Sequence, residues 1–400
     1  MDMDVKSQTV ALGQAGQTST RREWLSVFAV ALGAFSLVTT EFLPVGLLPE
    51  VARTLDVSLG SAGLMITAPG MIATVAAPVI LIGTKAIDRR LVMLALSGLL
   101  FLSNVVSATA PNFLVLLAAR ALLGICLGGF WTVALATSGS LVQSQQSARA
   151  MSIVFSAVTA ATVIGVPLGT YFGSISTWQA SFVATAALVA IAFVGQLIFL
   201  PSIIPQSRQS WSAIASALLA RGTQMGLAAT ALIIAAHLAA YTYIAPYLID
   251  FVGLPPLAVP WILLVFGAIG FAANLSAPAF LGRYPLGVFA TLVVLFSACF
   301  LVLPFTSSSL EITVLVLVVW AICNGAVLLS MNSWVIRRSA EHAEAASALF
   351  VSTVQIGIAF GAIAGGAVVD TLGVPANFGL AFLLAALTAI PLVAERNKFK

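Results

Sequence analysis

The sequence predicts an all-α integral membrane protein with twelve transmembrane helices, arranged as two pseudo-symmetric six-helix bundles. Hydrophobic residues make up 60% of the 400 residues, and charged residues make up only 8%. A water-soluble domain usually carries about 25% charged residues, because its surface must be hydrated. Most of this chain is therefore expected to face a lipid bilayer or neighbouring helices.

The number of helices follows from the length of the apolar runs. About 20 apolar residues span the hydrocarbon core of a bilayer as a helix. The runs are continuous rather than alternating, which excludes the strands of a membrane barrel. The third and fourth runs are separated only by the short turn Ala110-Pro111-Asn112. The predicted spans are 24–48, 61–84, 91–110, 112–138, 148–172, 179–200, 223–249, 258–281, 286–305, 310–335, 346–369 and 376–394.

The distribution of Lys and Arg predicts the orientation of the helices. Cytoplasmic loops of membrane proteins are enriched in these two residue types. With the N-terminus on the cytoplasmic side, 15 of the 17 Lys and Arg residues fall on that side. Arg53 falls on the opposite side and Arg120 lies within a span. The even number of spans then places the C-terminus in the cytoplasm as well.

The longest polar connection divides the chain nearly in half. The predicted organisation is a cytoplasmic N-terminal tail at 1–23, a six-helix bundle at 24–200, a cytoplasmic linker at 201–222 and a second six-helix bundle at 223–395. Within the linker, Trp211, Ile214 and Leu218 recur at helical spacing. This pattern fits either a short amphipathic helix along the membrane surface or a plain connection.

The two halves also resemble each other weakly. Gly165-Val-Pro-Leu-Gly169 in the fifth span corresponds to Gly361-Ala-Ile-Ala-Gly365 in the eleventh, 196 residues later. Repeated halves of six spans, related by an axis along the membrane normal, are typical of one large transporter architecture.

The basic residues, cysteines and histidines argue against several other classes of protein. The basic residues outnumber the 13 acidic ones, but they are scattered singly, so no nucleic-acid partner is predicted. Cys126, Cys299 and Cys323 lie inside apolar runs and are expected to be small core residues. His237 and His342 are too few and too far apart for a metal site, and no nucleotide-binding loop or nucleophile–base set occurs. We therefore predict no enzyme activity, no metal and no cofactor.

One acid and one base lie well inside the predicted spans. Glu41, in the stretch VTTEFLPVGLLPE, lies about 10 Å from one end of the first span, and Arg120 lies about 12 Å from the same end of the fourth. A charge at this depth is costly without a partner or water. We expect the two side chains to pair or to share waters, so that a change in their separation would alter the proton affinity of the carboxylate. Two alternatives remain, namely a permanently ionised pair that only stabilises the fold and an arginine bound by helix-end carbonyls.

Two spans carry glycines on one helix face. Gly124 and Gly128 follow Arg120 at intervals of four residues, which lets a neighbouring backbone approach closely. In the fifth span, Gly165, Gly169 and Gly173 form a similar face, and Pro167 removes one backbone hydrogen bond. The predicted result is a tight, slightly bent interface between the two halves, although ordinary small-residue packing explains the same pattern.

These motifs resemble those of the drug and metabolite efflux branch of the major facilitator superfamily. The similar stretches are TTEFLPVGLLP in the first span, ARALLG in the fourth, VIGVPLG in the fifth and WQASF at the start of the sixth. The resemblance covers the chain from about residue 24. Further stretches, including IDRR, FWTVA, YTYIAPY and WVIRRSAEHAEAAS, resemble the purine ribonucleoside and sugar efflux members.

The resemblance implies the function and its location. It implies a multi-pass protein of a bacterial inner membrane, in the class of drug-resistance antiporters, that exports a small organic solute by alternating access while protons flow inward. The solute would be a purine nucleoside, a sugar or a drug-like compound. A proton-independent facilitator or importer of similar architecture is the alternative. Nothing in the sequence demands an oligomer, so a monomer is expected.

The family's loop motif between the second and third spans is only partly present. It runs Gly-x-x-x-Asp-Arg-x-Gly-Arg, whereas this chain has GTKAIDRR. The resemblance assigns a gating role to the charged side chains of this loop, which equally fit ordinary cytoplasmic anchors. These side chains are Lys85, Asp88, Arg89 and Arg90.

Substrate contacts are expected from polar and aromatic side chains at mid-depth. Aromatic faces and amide groups suit a flat purine or a sugar ring, although a mid-span histidine often makes one hydrogen bond inside the protein instead. The candidates are Phe130, Trp131, His237, Tyr241, Tyr243, Asn324, Asn332 and Gln355.

Overall fold

Twelve long helices form the fold, as the sequence predicts. In a computed structural model, the described residues are 19–84, 86–138, 140–143, 146–204, 215–216, 218–281, 285–338 and 343–396. Within these ranges no strand occurs, and twelve helices are long and apolar enough to cross a membrane. Lys85, His342 and most of the linker, including Trp211 and Ile214, lie outside the described residues.

The helices run alternately up and down and are labelled here in chain order. They are α1 (Arg21–Phe42), α2 (Leu59–Gly83), α3 (Arg89–Ala108), α4 (Phe113–Ser138), α5 (Ser147–Ala160, Ala161–Gly165 and Val166–Ile175), α6 (Trp178–Phe199), α7 (Arg221–Thr242), α8 (Val259–Leu281), α9 (Pro285–Val302), α10 (Leu310–Arg338), α11 (Ala343–Leu372) and α12 (Val374–Leu387). We call the end of the bundle where α1 begins the tail end, and the opposite end the far end. The first half consists of α1–α6 and the second half of α7–α12.

Helix α1 begins at a capped N-terminus and ends just before a turn that contains a proline. The Thr20 hydroxyl accepts from the backbone N–H of Glu23, and the Glu23 carboxylate accepts from the backbone N–H of Thr20. This reciprocal capping satisfies two amides that would otherwise have no partner. At the other end, α1 stops at Phe42, and a 3-10 turn with Pro44 follows.

Helix α5 contains a π-helical turn just before its proline. The backbone N–H of Val166 donates to the carbonyl of Ala161, five residues back. Pro167 has no N–H to offer the carbonyl of Val163, so the regular ladder is interrupted at this point. The regular hydrogen-bond ladder of α5 is therefore interrupted in the middle of the helix.

The glycine face of α5 packs against α1 of the same half. A Cβ atom on Gly169 would overlap the side chain of Leu43, and one on Gly165 would overlap Thr39. The expectation that this face joins the two halves is therefore wrong. The spacing shows that a smooth face exists, but it does not show which neighbour covers that face.

Each half has its own apolar core, and one core extends across both halves. Side chains of α1, α3 and α4, such as Leu37, Leu96 and Leu127, fill the first half. The core of the second half includes Trp320 and Phe296, and five residues of the first half belong to it. These five are Val45, Leu48, Ala52, Ala62 and Ile66. All five lie toward the far end, so the halves are joined there by continuous apolar packing.

Candidate functional site

Arg120 is buried between three helices of the first half. Its side chain is 0% exposed. Nε donates to the carbonyl of Met65 at 2.7 Å, Nη1 to that of Thr40 at 2.7 Å, and Nη2 to that of Glu41 at 2.8 Å. The guanidinium therefore connects α4 with α1 and α2 through main-chain oxygens.

Two prolines explain why these carbonyls are available. In an α-helix, a carbonyl accepts from the N–H four residues later. The partners of Thr40 and Met65 would be Pro44 and Pro69, which have no N–H. The carbonyl of Glu41 is freed because α1 ends one residue later in a 3-10 turn. Arg120 thus satisfies three backbone acceptors at interruptions of α1 and α2.

The glycines that follow Arg120 contact the same helix. A Cβ atom on Gly124 would overlap the backbone of Pro69, and one on Gly128 would crowd the backbone of Ala73 and Ala77. Helices α4 and α2 therefore lie in close backbone contact along this face. This is the close approach that the four-residue spacing predicts.

The Glu41 carboxylate points to the other half of the protein. Its Oε1 accepts from Nε2 of Gln355 on α11 at 3.3 Å, and the residue is 7% exposed. Arg120 contacts only the main chain of Glu41 among the described hydrogen bonds. Of the arrangements that the sequence left open, the described hydrogen bonds match an arginine bound by backbone carbonyls, and a direct contact between carboxylate and guanidinium is not found among them.

Further contacts between α2 and α11 surround the hydrogen bond between Glu41 and Gln355. The Thr67 hydroxyl donates to the carbonyl of Ala359 at 3.3 Å, and Gly70 lies against the backbone of Gln355. Every hydrogen bond between the halves found among the described residues lies between the middle of the helices and the far end. Glu41 therefore lies at the boundary between two halves that are closed toward the far end.

The buried amide of Asn104 lies beside the contacts of Arg120 and Glu41, and it was not among the predicted site residues. Nδ2 of Asn104 on α3 donates to the Thr40 hydroxyl at 3.2 Å and to the carbonyl of Leu100 at 2.9 Å. Asn104 is 0% exposed. A polar residue within an apolar span was the available signal, since such groups must find partners in a membrane.

A second cluster lies in the second half and is aromatic. The rings of His237 and Tyr241 stack with centroids 5.1 Å apart, and Tyr241 stacks on Phe266 at 5.3 Å. Trp320 meets Phe266 edge-on at 5.3 Å. The i, i+4 spacing places His237 and Tyr241 on one face, whereas Trp320 and Phe266 come from α10 and α8 and were not singled out. We call these four residues the aromatic cluster.

The hydrogen bond of His237 fixes the tautomer of its ring. Nε1 of Trp320 donates to Nδ1 of His237 at 3.1 Å. An indole N–H can only donate, so Nδ1 must carry a lone pair and the proton of the neutral ring lies on Nε2. A second proton on Nδ1 would break this contact. His237 is thus arranged as a hydrogen-bond donor at Nε2 rather than as a proton carrier.

The remaining predicted binding residues are dispersed. Phe130 is 1% exposed and packs against Gly33 in the core of the first half, while the partly exposed Trp131 meets its ring edge-on. Tyr243 lies near the far end, where its hydroxyl donates to the carbonyl of Ala362 at 3.1 Å. Phe130 and Tyr243 therefore do not join the aromatic cluster.

The two predicted asparagines of α10 differ in their surroundings. Asn324 is partly exposed and, within the part of the chain that the structure describes, makes no side-chain hydrogen bond to the protein. The Oδ1 atom of Asn332 is buried, and it too has no partner among the described residues. Asn324 lies four residues after Trp320 on the same helix face.

The charged loop at the tail end contacts the first half. Asp88 accepts from the backbone N–H groups of Arg90 and Ile203, and Arg90 donates to the carbonyl of Leu197 at 2.8 Å. Partial burial raises the pKa of Asp88, but hydrogen bonds from Ser202, Ile203 and Arg90 outweigh that effect and hold its pKa below the ordinary value.

These contacts bear on the gating role that the resemblance assigns to the loop. Arg89 donates to the Thr84 hydroxyl at 3.2 Å, and its backbone N–H donates to the carbonyl of Ile203. The described contacts of Asp88, Arg89 and Arg90 thus stabilise the ends of α3 and α6 and the start of the linker. A contact of this loop with the second half is not found among the described residues.

The architecture defines the class of protein. Two six-helix halves that meet around buried polar groups inside the bundle are the arrangement of a secondary transporter. The family model of the Major Facilitator Superfamily matches residues 30–350, so the chain belongs to this superfamily. Relatives include the purine ribonucleoside efflux pump NepI of Escherichia coli (strain K12), which is 30% identical over 394 residues, covering 98% of this chain and 99% of NepI.

Other comparisons support the same family and fold. The transcription regulatory protein OpdE of Pseudomonas aeruginosa is 32% identical over 380 residues, covering 94% of each chain. The nucleoside transporter NupG has a TM-score of 0.76 at 17% identity, covering 94% of this chain and all of NupG. A bacterial homologue of the lysosomal transporter Spinster has a TM-score of 0.76 at 15% identity, covering 94% of this chain and 98% of that one.

Proposed function

We propose that the protein is a proton-coupled exporter of a purine nucleoside or a related small solute. The full-length similarity to a purine ribonucleoside efflux pump supports the substrate class. Residues 24–200 and 223–395 would move as the two halves, the tail end would face the cytoplasm of a bacterial cell, and the protein would work as a monomer in the inner membrane. The clustering of Lys and Arg at the tail end supports this orientation.

The observation that carries the proposal is the Glu41 carboxylate at the boundary between the halves. Its contact with Gln355 bridges the two halves and would be lost if they separated. Opening that end would remove the amide and expose the carboxyl group to the outer compartment. Closing it again would return the group to a buried site reached from the cytoplasm. One titratable group would thereby meet the two compartments in turn.

Arg120 would keep this group in position. Because its guanidinium binds the carbonyls of Thr40 and Glu41, it fixes the main chain that carries the carboxylate. Its charge also lies close to Glu41 throughout. The role of Arg120 in coupling would thus be indirect, through position and charge rather than through proton transfer.

The aromatic cluster would bind the base of the substrate. Tyr241 is stacked between His237 and Phe266, so a base would bind by replacing one of these ring contacts. Stacking of aromatic rings contributes about 0.5–1.5 kcal/mol beyond burial. Nε2 of His237 would donate to a ring nitrogen or carbonyl, and the amide of Asn324 would pair with a polar edge. Gln355 would link substrate binding to the Glu41 contact.

Transport into inverted membrane vesicles tests the proposal. Vesicles with an acidic interior should take up radiolabelled adenosine, inosine or guanosine several-fold faster than vesicles without a pH gradient, and a protonophore should abolish the difference. A sugar and a lipophilic cation should be tested in parallel. Equal uptake with and without the gradient would instead support a proton-independent facilitator. A regulatory protein that moves no solute would show no uptake above vesicles lacking the protein.

A further inference from the structure

A carboxylate of the second half caps a helix of the first half at the far end. Asp370 lies in the last turn of α11. Its Oδ2 accepts from the Ser58 hydroxyl at 2.6 Å, and its Oδ1 accepts from the backbone N–H of Gly60 at 2.8 Å. Both donors belong to the beginning of α2, so one side chain spans the boundary between the halves with two hydrogen bonds.

The N-terminus of α2 attracts this carboxylate, whereas the C-terminal turn of its own helix α11 does not. The first N–H groups of a helix have no partners inside the helix, and they give its N-terminus a partial positive charge. A carboxylate at this place forms charge-assisted hydrogen bonds, which are stronger than neutral ones. Helix α2 would lose this cap whenever α11 moved away. The contact therefore favours the arrangement in which the far end is closed.

Glycines bring the two backbones together beside the carboxylate. A Cβ atom on Gly60 would overlap the carbonyl of Gly366 on α11. The Tyr243 hydroxyl fits against Gly63 and Gly366 while donating to the carbonyl of Ala362. Substituents at these glycines would push α2, α7 and α11 apart. The contact between the halves at the far end thus depends on the charge of Asp370 and on the absence of side chains at the neighbouring glycines.

We propose that Asp370 is the latch of a far-end gate and sets the equilibrium between the closed and open states of that end. The cap on α2 and the glycine contacts form one unit that must separate before the central site opens to the far side. The proposal extends the alternating access proposed above. Asp370 acts as a positioning residue, since it holds the halves together and touches no substrate.

Labelling of a buried reporter cysteine tests the latch. The three native cysteines, Cys126, Cys299 and Cys323, are replaced by serine, and Ala62, which is 0% exposed in the packing between the halves, is replaced by cysteine. A membrane-impermeant maleimide is then applied from the far side of the protein in liposomes. Asp370→Ala should raise the labelling rate about tenfold, because charge-assisted hydrogen bonds are lost from the closed state only.

A second variant and a matched control separate the latch from general damage. Gly60→Ala should raise the rate similarly, because its methyl group displaces Gly366, although alanine itself favours a helix. Glu311→Ala should leave the rate unchanged, because this exposed far-end carboxylate accepts, within the described part of the chain, only from Ser309 of its own helix start. Unchanged labelling in both Asp370→Ala and Gly60→Ala would overturn the proposal.

Distances between the halves distinguish opening from unfolding. Spin labels at positions 54 and 312, both exposed at the far end, should show a second, longer and well-defined distance by pulsed EPR in the Asp370→Ala variant. A single unchanged distance would contradict the latch. Both measurements need neither substrate nor a proton gradient. A failure here would thus leave proton-coupled export intact, and a failure of proton coupling would leave the latch intact.

Discussion

At the scale of single residues, the main interaction is between one arginine and two interrupted helices. Pro44 and Pro69 leave carbonyl oxygens without donors inside the membrane, where each unsatisfied backbone group is costly. Arg120 supplies the missing donors and gains partners for a charge that could not face lipid. The prolines and the arginine therefore stabilise one another, which explains how a buried arginine is tolerated without a carboxylate in contact.

This mutual dependence predicts a coupling between Arg120 and Pro69. Arg120→Met should lower the free energy of unfolding by about 3 kcal/mol or more, because buried carbonyls lose their donors. In a Pro69→Ala background the loss should be smaller by about 1 kcal/mol, since residue 69 then donates to Met65. Thermal unfolding of the purified variants in detergent measures both effects. Arg53→Met at the exposed far end serves as the control, and additive effects of the Arg120 and Pro69 changes would contradict the explanation.

The tautomer of His237 gives a second prediction at this scale. Trp320→Phe keeps the ring contacts but removes the donor to Nδ1, so the histidine can turn its N–H away from the substrate. We expect the KM for the transported nucleoside to rise about tenfold, the effect of roughly one lost hydrogen bond, while stimulation by the pH gradient persists. Trp334→Phe is the matched control, because the indole N–H of Trp334 has no partner among the described residues. An unchanged KM in Trp320→Phe would contradict the binding role of the cluster.

At the scale of helices, the two glycine faces show what sequence patterns can and cannot predict. Spacing of four residues identified the smooth faces of α4 and α5, and the apolar runs identified all twelve spans. The neighbour of each face was not encoded locally. Gly169 meets Leu43 of the same half, whereas the π-helical turn of α5 at Thr162 and Val163 approaches Gly267 of the other half.

The packing of α5 on α1 predicts compensating substitutions. Gly169→Ala should destabilise the protein by about 1–3 kcal/mol, because its methyl group overlaps Leu43 and overpacking forces neighbours to shift. Leu43→Ala should recover part of that loss in the double variant, as measured by thermal unfolding. Gly379→Ala on α12 is the control, since open space surrounds that position. If Gly169→Ala destabilises the Leu43→Ala variant as much as it destabilises the wild-type protein, overlap with Leu43 is not the cause of the destabilisation.

The pair of Glu41 and Arg120 also shows what a sequence pattern can and cannot predict. The equal depths of Glu41 and Arg120 could be read from the sequence, and the two residues are indeed neighbours. The sequence left binding of Arg120 by helix-end carbonyls open as an alternative, but it could not select this arrangement, because the choice depends on how Pro44 and Pro69 interrupt two different helices. The partner of the carboxylate, Gln355, comes from 314 residues away and was assigned to the substrate site instead.

At the scale of the whole molecule, the structure is closed toward the far end. The Glu41–Gln355 contact lies deeper in the bundle than the Asp370 cap, which lies at the far end, and an apolar core runs between them across both halves. A transport cycle must break these contacts together, because they bridge the same pair of halves. The proton site and the gate would thus be linked mechanically through α11, which carries both Gln355 and Asp370.

The most direct test of the central claim compares two kinds of transport in Glu41→Gln. In inverted vesicles, this variant should lose the stimulation of nucleoside uptake by a pH gradient, while exchange of external labelled for internal unlabelled nucleoside without a gradient should continue. Glutamine preserves the size of the side chain but cannot carry a proton. Glu311→Gln should behave like the wild-type protein. Gradient-driven uptake that persists undiminished in Glu41→Gln would contradict the role of Glu41 in proton coupling.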